Sequence, residues 1–178
     1  MSSNAFESGE RKVIPAVLIY VFCADKVLMI HRNASKGGTP DFHQGKWNGL
    51  GGKCERDESP WEASVREVQE ESGITIQPEN LRALGVIQFP NFKPHKSEDW
   101  TVFVFRADLA LTDAEMKALE GREIPEGVLH WIQKHQLLDL NLWPGDSLFL
   151  PKVVSQEPFI GTIWYSDGRV ARSYIGEI

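Results

Sequence analysis

Residues 13–22 are β-branched and apolar, Cys23-Ala24-Asp25-Lys26 can turn, and residues 27–32 are apolar again. Two such runs around a short polar turn predict a hairpin. Residues 33–46 are polar and carry Gly37, Gly38, Pro40 and Gly45, which predicts a loop. It is longer than most connections, and long loops are more often functional than structural. Strands are expected at 74–76, 81–89, 100–107 and 128–132, with a proline-broken loop over 90–96 and a loop over 121–127. Thr112-Asp113-Ala114-Glu115 is a capping box that opens a helix to about Leu119. Residues 133–138 predict one or two helical turns, and Trp143-Pro144-Gly145-Asp146 opens a last helix to about Ser155. A closing hairpin is expected from 159–165 and 170–175 around Ser166-Asp167-Gly168-Arg169. Strands interspersed with few helices imply a layered α+β or α/β domain with a mixed sheet.

The clearest helix lies between Ser59 and Gly73. Ser59 caps it, Pro60 takes the first helical position, Glu62 closes a Ser-x-x-Glu box, and Gly73 is a stop residue. At about 100° per residue, with Ala63 at zero, Glu67 falls at about 40°, Glu70 at about −20°, Glu71 at about 80° and Arg66 at about −60°. Trp61, Val65, Val68 and Ser72 lie roughly opposite. One side is therefore expected to pack while the other gathers three carboxylates.

The chain has 178 residues, 42% of them apolar and 25% charged, which fits a globular domain with a sizeable core. Residues 1–12 are expected to form a flexible polar tail and residues 13–178 one domain. The net charge of −6 argues against a broad nucleic-acid-binding face. A small phosphate ligand stays open, because a metal offsets the repulsion. Cys23 and Cys54 make neither a disulfide framework nor a zinc site, so reduced thiols in a cytoplasmic protein are expected. No apolar run reaches the roughly 18 residues of a membrane span, and the N-terminus lacks the apolar core of a signal peptide.

Acidic residues on a helix usually form a solvated face. Here Glu67 and Glu71 stand at i,i+4 with Glu70 between them, a spacing that destabilises a helix by a few tenths of a kcal/mol. In a partly buried cleft each such pair costs about 4 kcal/mol at about 4 Å and an effective dielectric of about 20. A divalent cation removes that cost, and oxygen ligands favour magnesium or manganese over zinc. Magnesium commonly bridges to substrate phosphates. The preceding Trp47-Asn48-Gly49-Leu50-Gly51-Gly52-Lys53 leaves backbone groups bare for a ligand, although such a run also makes a tight turn.

Gly52, five residues, Glu58, seven residues, then Arg66-Glu67-Val68-Gln69-Glu70-Glu71-Ser72-Gly73-Ile74 resembles the Nudix box, Gx5Ex7REUxEExGU, and meets every fixed position. At about 7% per residue, those fixed positions coincide by chance on the order of 10⁻⁸ per start point. The resemblance implies the Nudix fold, an α/β/α sandwich with a mixed sheet, and hydrolysis of a nucleoside diphosphate linked to another group. It implies Glu67, Glu70 and Glu71 as metal ligands, with the Gly51 carbonyl as a further one. Arg66 and Glu58 resemble the pair that orients the glutamates, and Lys53 would contact phosphate or hold the loop. The general base stays open between Glu67 and a glutamate outside the box. Glu126, in Glu126-Gly127-Val128-Leu129-His130-Trp131, resembles the family's late acidic loop; Glu123 is a rival, and a solvated acid is the plainer reading.

Trp47 to Lys53, Leu142-Trp143-Pro144-Gly145-Asp146-Ser147 and the closing hairpin are similar to MutT-type 8-oxo-dGTP diphosphatases, especially the animal oxidised-purine triphosphatases. That likeness implies Asn48, Leu50, Phe89 and the Trp143–Asp146 corner around a purine base. Core packing for Trp143 and plain helix capping for Asp146 are the competing readings. Arg32 could contact phosphate or ribose. One position departs: Gly145 stands where the subfamily has the first of two aspartates, which puts selectivity for an oxidised guanine in doubt. The expected activity is magnesium-dependent hydrolysis of purine nucleoside triphosphates, dGTP or 8-oxo-dGTP, to monophosphate and pyrophosphate. A nucleoside-diphosphate-sugar or ADP-ribose hydrolase and a non-catalytic nucleotide sensor are the alternatives. The partner expected is a small nucleotide, with no membrane and no nucleic acid.

Overall fold

The computed structural model describes residues 6, 8–32 and 45–178. Most of the expected 33–46 loop lies outside the described residues. The chain forms β1 (Lys12–Cys23), β2 (Lys26–Arg32), β3 (Trp47–Asn48), α1 (Pro60–Ser72), β4 (Leu81–Lys93), β5 (Glu98–Asp108), α2 (Asp113–Leu119), β6 (Glu123–Ile124), β7 (Gly127–Gln133), α3 (Asp146–Ser155), β8 (Phe159–Ser166) and β9 (Arg169–Glu177). Among the described residues the strands join one mixed sheet in the order β6-β7-β2-β1-β5-β4-β8-β9, with β3 against β2. β1 runs parallel to β5 from Lys12↔Glu98 to Phe22↔Asp108, and β4 runs parallel to β8.

β1 explains the layering. Residues 16–23 are buried without a break, so both faces of this strand are covered. Val17, Ile19 and Val21 enter the core with Ala63 and Val68 of α1 and Leu119 of α2. Leu18, Tyr20 and Phe22 enter the other core with Phe149, Leu150 and Val153 of α3. Successive side chains point to opposite faces, so one apolar strand serves two layers. The result is the expected α/β/α sandwich. Arg106 of β5, nearly fully buried, ties the sheet to the end of α3 by donating to the carbonyls of Val153 and Val154 at 3.0 and 2.8 Å.

The start and stop of α1 follow the pattern. Glu62 N–H donates to Ser59 Oγ at 3.3 Å, and Ser59 N–H donates to Glu62 Oε2 at 2.8 Å. Gly73 adopts φ 72° and donates its N–H to the Gln69 carbonyl at 2.8 Å. Such a left-handed stop is open to glycine at no steric cost.

Three expectations are corrected. No strand forms at 74–76; the chain passes to a 3-10 turn at Pro78–Asn80. The loop expected over 90–96 is mostly strand, because β4 continues through Pro90 to Lys93 and only Pro94–Lys96 turns. Pro90 is tolerated at a register shift between Phe89 and Lys93, where its missing N–H breaks no ladder bond. The division of α1 into a packing side and a carboxylate side also fails. Ala63 and Glu71 are buried with Ser64, Val68 and Ser72, whereas Trp61 is 43% exposed.

Candidate active site

The glycine run threads between β1 and α1. Its backbone pairs with β1 through Val17 N–H to the Gly52 carbonyl at 2.8 Å and Ile19 N–H to the Leu50 carbonyl at 2.7 Å. Gly51 has φ +143°, and a Cβ there would lie 2.2 Å from the Val17 carbonyl oxygen. Only glycine fits. On Gly52 a Cβ would lie 2.3 Å from Glu67 Oε1, so the Glu67 carboxylate rests directly on bare backbone. Gly51 N–H donates to Glu71 Oε2 at 2.8 Å. The bare backbone at 52 lets the Glu67 carboxylate rest on the loop, and the missing side chain at 51 lets the run pair closely with β1.

Arg66 organises the rest. It donates to Glu58 twice, at 2.8 and 2.9 Å, to Glu67 Oε1 at 2.8 Å, to Glu70 Oε2 at 3.2 Å and to the Lys53 carbonyl at 3.0 Å. The guanidinium holds the Glu58 carboxyl below its usual range. Glu67 is raised, chiefly by burial, with Arg66 opposing. Glu71 is only 4% exposed, and its pKa is pushed up to about 8, first by burial and then by the negative charges of Glu67 and Glu126, against the Gly51 hydrogen bond. The Glu126 charge reaches this cluster.

Among the described residues no three His, Cys, Asp or Glu side chains converge into a preformed metal cage. The donor set nevertheless fits a hard cation. A buried carboxylate, Glu71, faces two other carboxylates and receives one neutral N–H donor from Gly51. Buried like charges of this kind need a counter-cation or a proton, and all donors are oxygen.

A cavity of about 320 Å³ opens beside this cluster, with Gly51 and Gly52 in its wall. It is also lined by the cations Arg32, Lys53 and Lys93, by Phe89, Trp100 and Trp143, and by the polar Asn48, Asp146 and Tyr165. The structure thus brings Arg32, Asn48, Gly51, Lys53, Phe89, Trp143 and Asp146 together at one cavity. Glu58, Arg66 and Glu70 stand behind it on the Arg66 network, and Glu67 and Glu71 abut its glycine wall.

Leu50 is corrected. It was expected beside the base, but its side chain is fully buried in the core beneath α1 with Ala63 and Val68, because backbone pairing to Ile19 turns it inward. Simple capping by Asp146 is also corrected. The cap position is Gly145, without a side-chain bond, and Asp146 is the first residue of α3. Its Oδ2 is buried with no hydrogen-bond partner, and burial pushes its pKa up to about 7, with Lys46 opposing.

Four aromatic or charged lining residues carried no expectation from the sequence: Phe92, Lys93, Trp100 and Tyr165. Lys93 Nζ and Lys53 Nζ stand 4.7 and 5.3 Å from the centre of the Trp100 ring. Burial, Lys53 and Lys96 depress the Lys93 pKa. Lys93 follows Pro90 in a stretch that reads as loop, and Tyr165 sits in a stretch that reads as an ordinary strand, so neither carried a signal.

Residues 12–153 match the NUDIX domain family. The chain is 30% identical over 134 residues to an oxidized purine nucleoside triphosphate hydrolase of Mus musculus, covering 75% of this chain and 78% of that one. It is 32% identical over 120 residues to the protein so described in Danio rerio, covering 67% and 70%. A MutT protein of Bacillus halodurans superposes with a TM-score of 0.71 at 25% identity, over 91% of this chain and 97% of that one.

Proposed function

The chain belongs to the NUDIX family of hydrolases, and we propose that it hydrolyses purine (deoxy)nucleoside triphosphates, of the dGTP or 8-oxo-dGTP type, to monophosphate and pyrophosphate with Mg2+, Mn2+ serving in its place. The observation that carries this reading is one continuous cavity. Its wall includes the Gly51–Gly52 backbone on which Glu67 and Glu71 rest, and also the Asn48, Phe89, Trp143 and Asp146 side chains suited to a base. Relatives described as oxidized purine nucleoside triphosphate hydrolases support the substrate class. Action on free nucleotides in the cytoplasm, as part of keeping the nucleotide pool clean, belongs to the same proposal. Both cysteines are free, and among the described residues no helix is long and apolar enough to cross a membrane.

Glu67, Glu70, Glu71, Glu126 and the Gly51 carbonyl would hold the metal. When bound, Mg2+ neutralises phosphate oxygens and lowers the pKa of a water. Arg66 fixes Glu67 and Glu58, so the carboxylates need little reorganisation as charge develops. Arg32 and Lys53 line the same wall and offset phosphate charge. A carboxylate oxygen of Glu67 or Glu126 takes the proton of the attacking water. The water oxygen bonds to phosphorus, the anhydride P–O bond breaks, and pyrophosphate leaves with its electron pair.

A second reading has one observation in its favour. A cavity of about 420 Å³ adjoins the first and shares Phe92, Lys93, Trp143 and Tyr165 with it, which leaves room for the second group of a nucleoside-diphosphate sugar. A nucleotide sensor is disfavoured by the full set of box glutamates. The deciding experiment incubates the protein and Mg2+ with dNTPs, 8-oxo-dGTP, ADP-ribose and nucleotide sugars and measures pyrophosphate against monophosphate. Pyrophosphate from purine triphosphates supports the first reading. Turnover of sugar conjugates alone sinks it, and binding without turnover supports the sensor.

A further inference from the structure

The resemblance places an aspartate where Gly145 stands, one residue before Asp146. Something else fills that place. A Cβ on Gly145 would lie 2.4 Å from the Tyr165 hydroxyl oxygen and 3.2 Å from its Cζ. The Gly145 N–H donates to that oxygen at 2.8 Å. Gly145 has an ordinary φ of −72°, so the glycine is required by the tyrosine and not by the backbone. The two positions read as one exchange: the side chain at 145 is given up, and a phenol from β8 stands over the gap.

Tyr165 lines the cavity with Asn48 and Asp146. Its oxygen accepts from Gly145, and among the described residues no hydrogen bond donated by this hydroxyl is present, so its proton is left to donate. Burial and the Asp146 charge raise the phenol pKa, which keeps it a neutral donor at physiological pH. Among the described residues the Asp146 Oδ2 is buried without a hydrogen-bond partner. Both residues line one cavity, and a buried acceptor and an unused donor are costly alone and favourable once a ligand satisfies both.

We propose that Tyr165 is a specificity-determining residue of the base pocket, donating to the 6-carbonyl oxygen of a purine while Asp146 accepts from the adjoining N–H, so that the substrate class is a 6-oxopurine nucleoside triphosphate. The inference rests on the triphosphate hydrolase reading above. An ionised carboxylate at 145 could only accept, whereas a phenol there presents a proton. Guanine offers an acceptor, O6, where adenine offers an amino donor. Adenine would set donor against donor and leave both protein groups unpaired. An 8-oxoguanine keeps O6, so this pair reads guanine and its oxidised form alike.

The test is steady-state hydrolysis of four triphosphates: dGTP, dITP, dATP and the 2-aminopurine deoxyribonucleotide, which lacks the 6-oxygen. The wild type is expected to favour dGTP and dITP over the other two. Tyr165→Phe should lower kcat/KM for dGTP and dITP about tenfold, mainly through KM, and lower it much less for the 2-aminopurine substrate. Gly145→Asp alone should lose activity on all four through collision with the hydroxyl. Combining it with Tyr165→Phe should restore turnover and raise the share of dATP. Equal losses on every substrate in Tyr165→Phe, or no loss, would overturn the assignment while leaving the hydrolase reading intact. Failure of the wild type on all triphosphates would overturn that reading and this inference together.

Discussion

Arg66 grips Glu58 through two parallel hydrogen bonds, Nε to Oε1 at 2.8 Å and Nη2 to Oε2 at 2.9 Å. The same guanidinium reaches Glu67, Glu70 and the Lys53 carbonyl. One planar fork therefore ties the loop before α1 to two carboxylates on α1. An ammonium is a point donor and cannot hold that arrangement.

Arg66→Lys is accordingly expected to keep the charge and lose the alignment. Misplacing a catalytic group by about 1 Å costs about 10²-fold, so kcat should fall roughly 10- to 100-fold with a smaller change in KM. Glu58→Gln should do the same, and the double variant should be little worse than either, since both break one unit. Both side chains are mostly covered, so a stability loss of about 1–3 kcal/mol should accompany each change. Pyrophosphate release and thermal melting check this. A wild-type kcat in Arg66→Lys would remove the fork from the mechanism.

Glu70 and Glu71 should separate. The Glu70 side chain is 59% exposed and Glu71 is nearly fully buried. In the presence of a chelator, Glu71→Gln should raise the melting temperature, because it removes a buried carboxyl that must take up a proton beside Glu67 and Glu126 on folding, while keeping an acceptor for Gly51 N–H. Each kcal/mol corresponds to roughly 2–4 °C in a chain of this size. Glu70→Gln should leave stability within about 0.5 kcal/mol. Both should lose turnover by orders of magnitude, and Mg2+ should stop raising the melting temperature of Glu71→Gln. An intact Mg2+-dependent rise in that variant would take Glu71 out of the metal site.

Glu126 and Glu123 flank the same short loop, and the Glu126 charge acts on Glu71. General-base action contributes about 10²- to 10⁴-fold, and loss of a metal ligand lowers apparent Mg2+ affinity. Glu126→Gln is expected to lower kcat at least about tenfold, whereas Glu123→Gln should stay near the wild type. Loss of the acidic limb of the kcat–pH profile in Glu126→Gln, with that limb retained in Glu67→Gln, would make Glu126 the base; the reverse would make it Glu67.

What could be read from the sequence was local. Ser59, Pro60, Glu62 and Gly73 define α1 through contacts a few residues apart, and the box lies on that helix. β1 was readable because its apolar run is unbroken. What was hidden depends on packing between distant segments. Glu71 is buried because Gly51 N–H needs an acceptor where α1 crosses the glycine run, which no helical wheel contains. Leu50 points inward because its backbone pairs with Ile19. Gly145 and Tyr165 lie on different elements and meet only when α3 packs against β8. Read alone, Gly145 is a lost reading group; the Tyr165 hydroxyl that fills its place is invisible until the two elements meet.

Asp146 carries the last prediction. Burial lifts its pKa from an ordinary 3.8 to about 7 in the folded chain. Below about pH 4 both folded and unfolded chains hold the proton. Between there and about pH 7 the folded chain holds a proton that the unfolded chain has released, so stability falls as pH rises through this window and levels off above it. At about 1.36 kcal/mol per pH unit the loss is on the order of a few kcal/mol. Asp146→Asn has no proton to lose. Its melting temperature should therefore fall less than that of the wild type between pH 5 and pH 8, and the difference between the two curves isolates Asp146 from the other raised carboxyls, Glu67 and Glu71. Parallel curves over that range would mean that Asp146 titrates as an ordinary carboxyl, and that its buried oxygen is satisfied in solution by some other group.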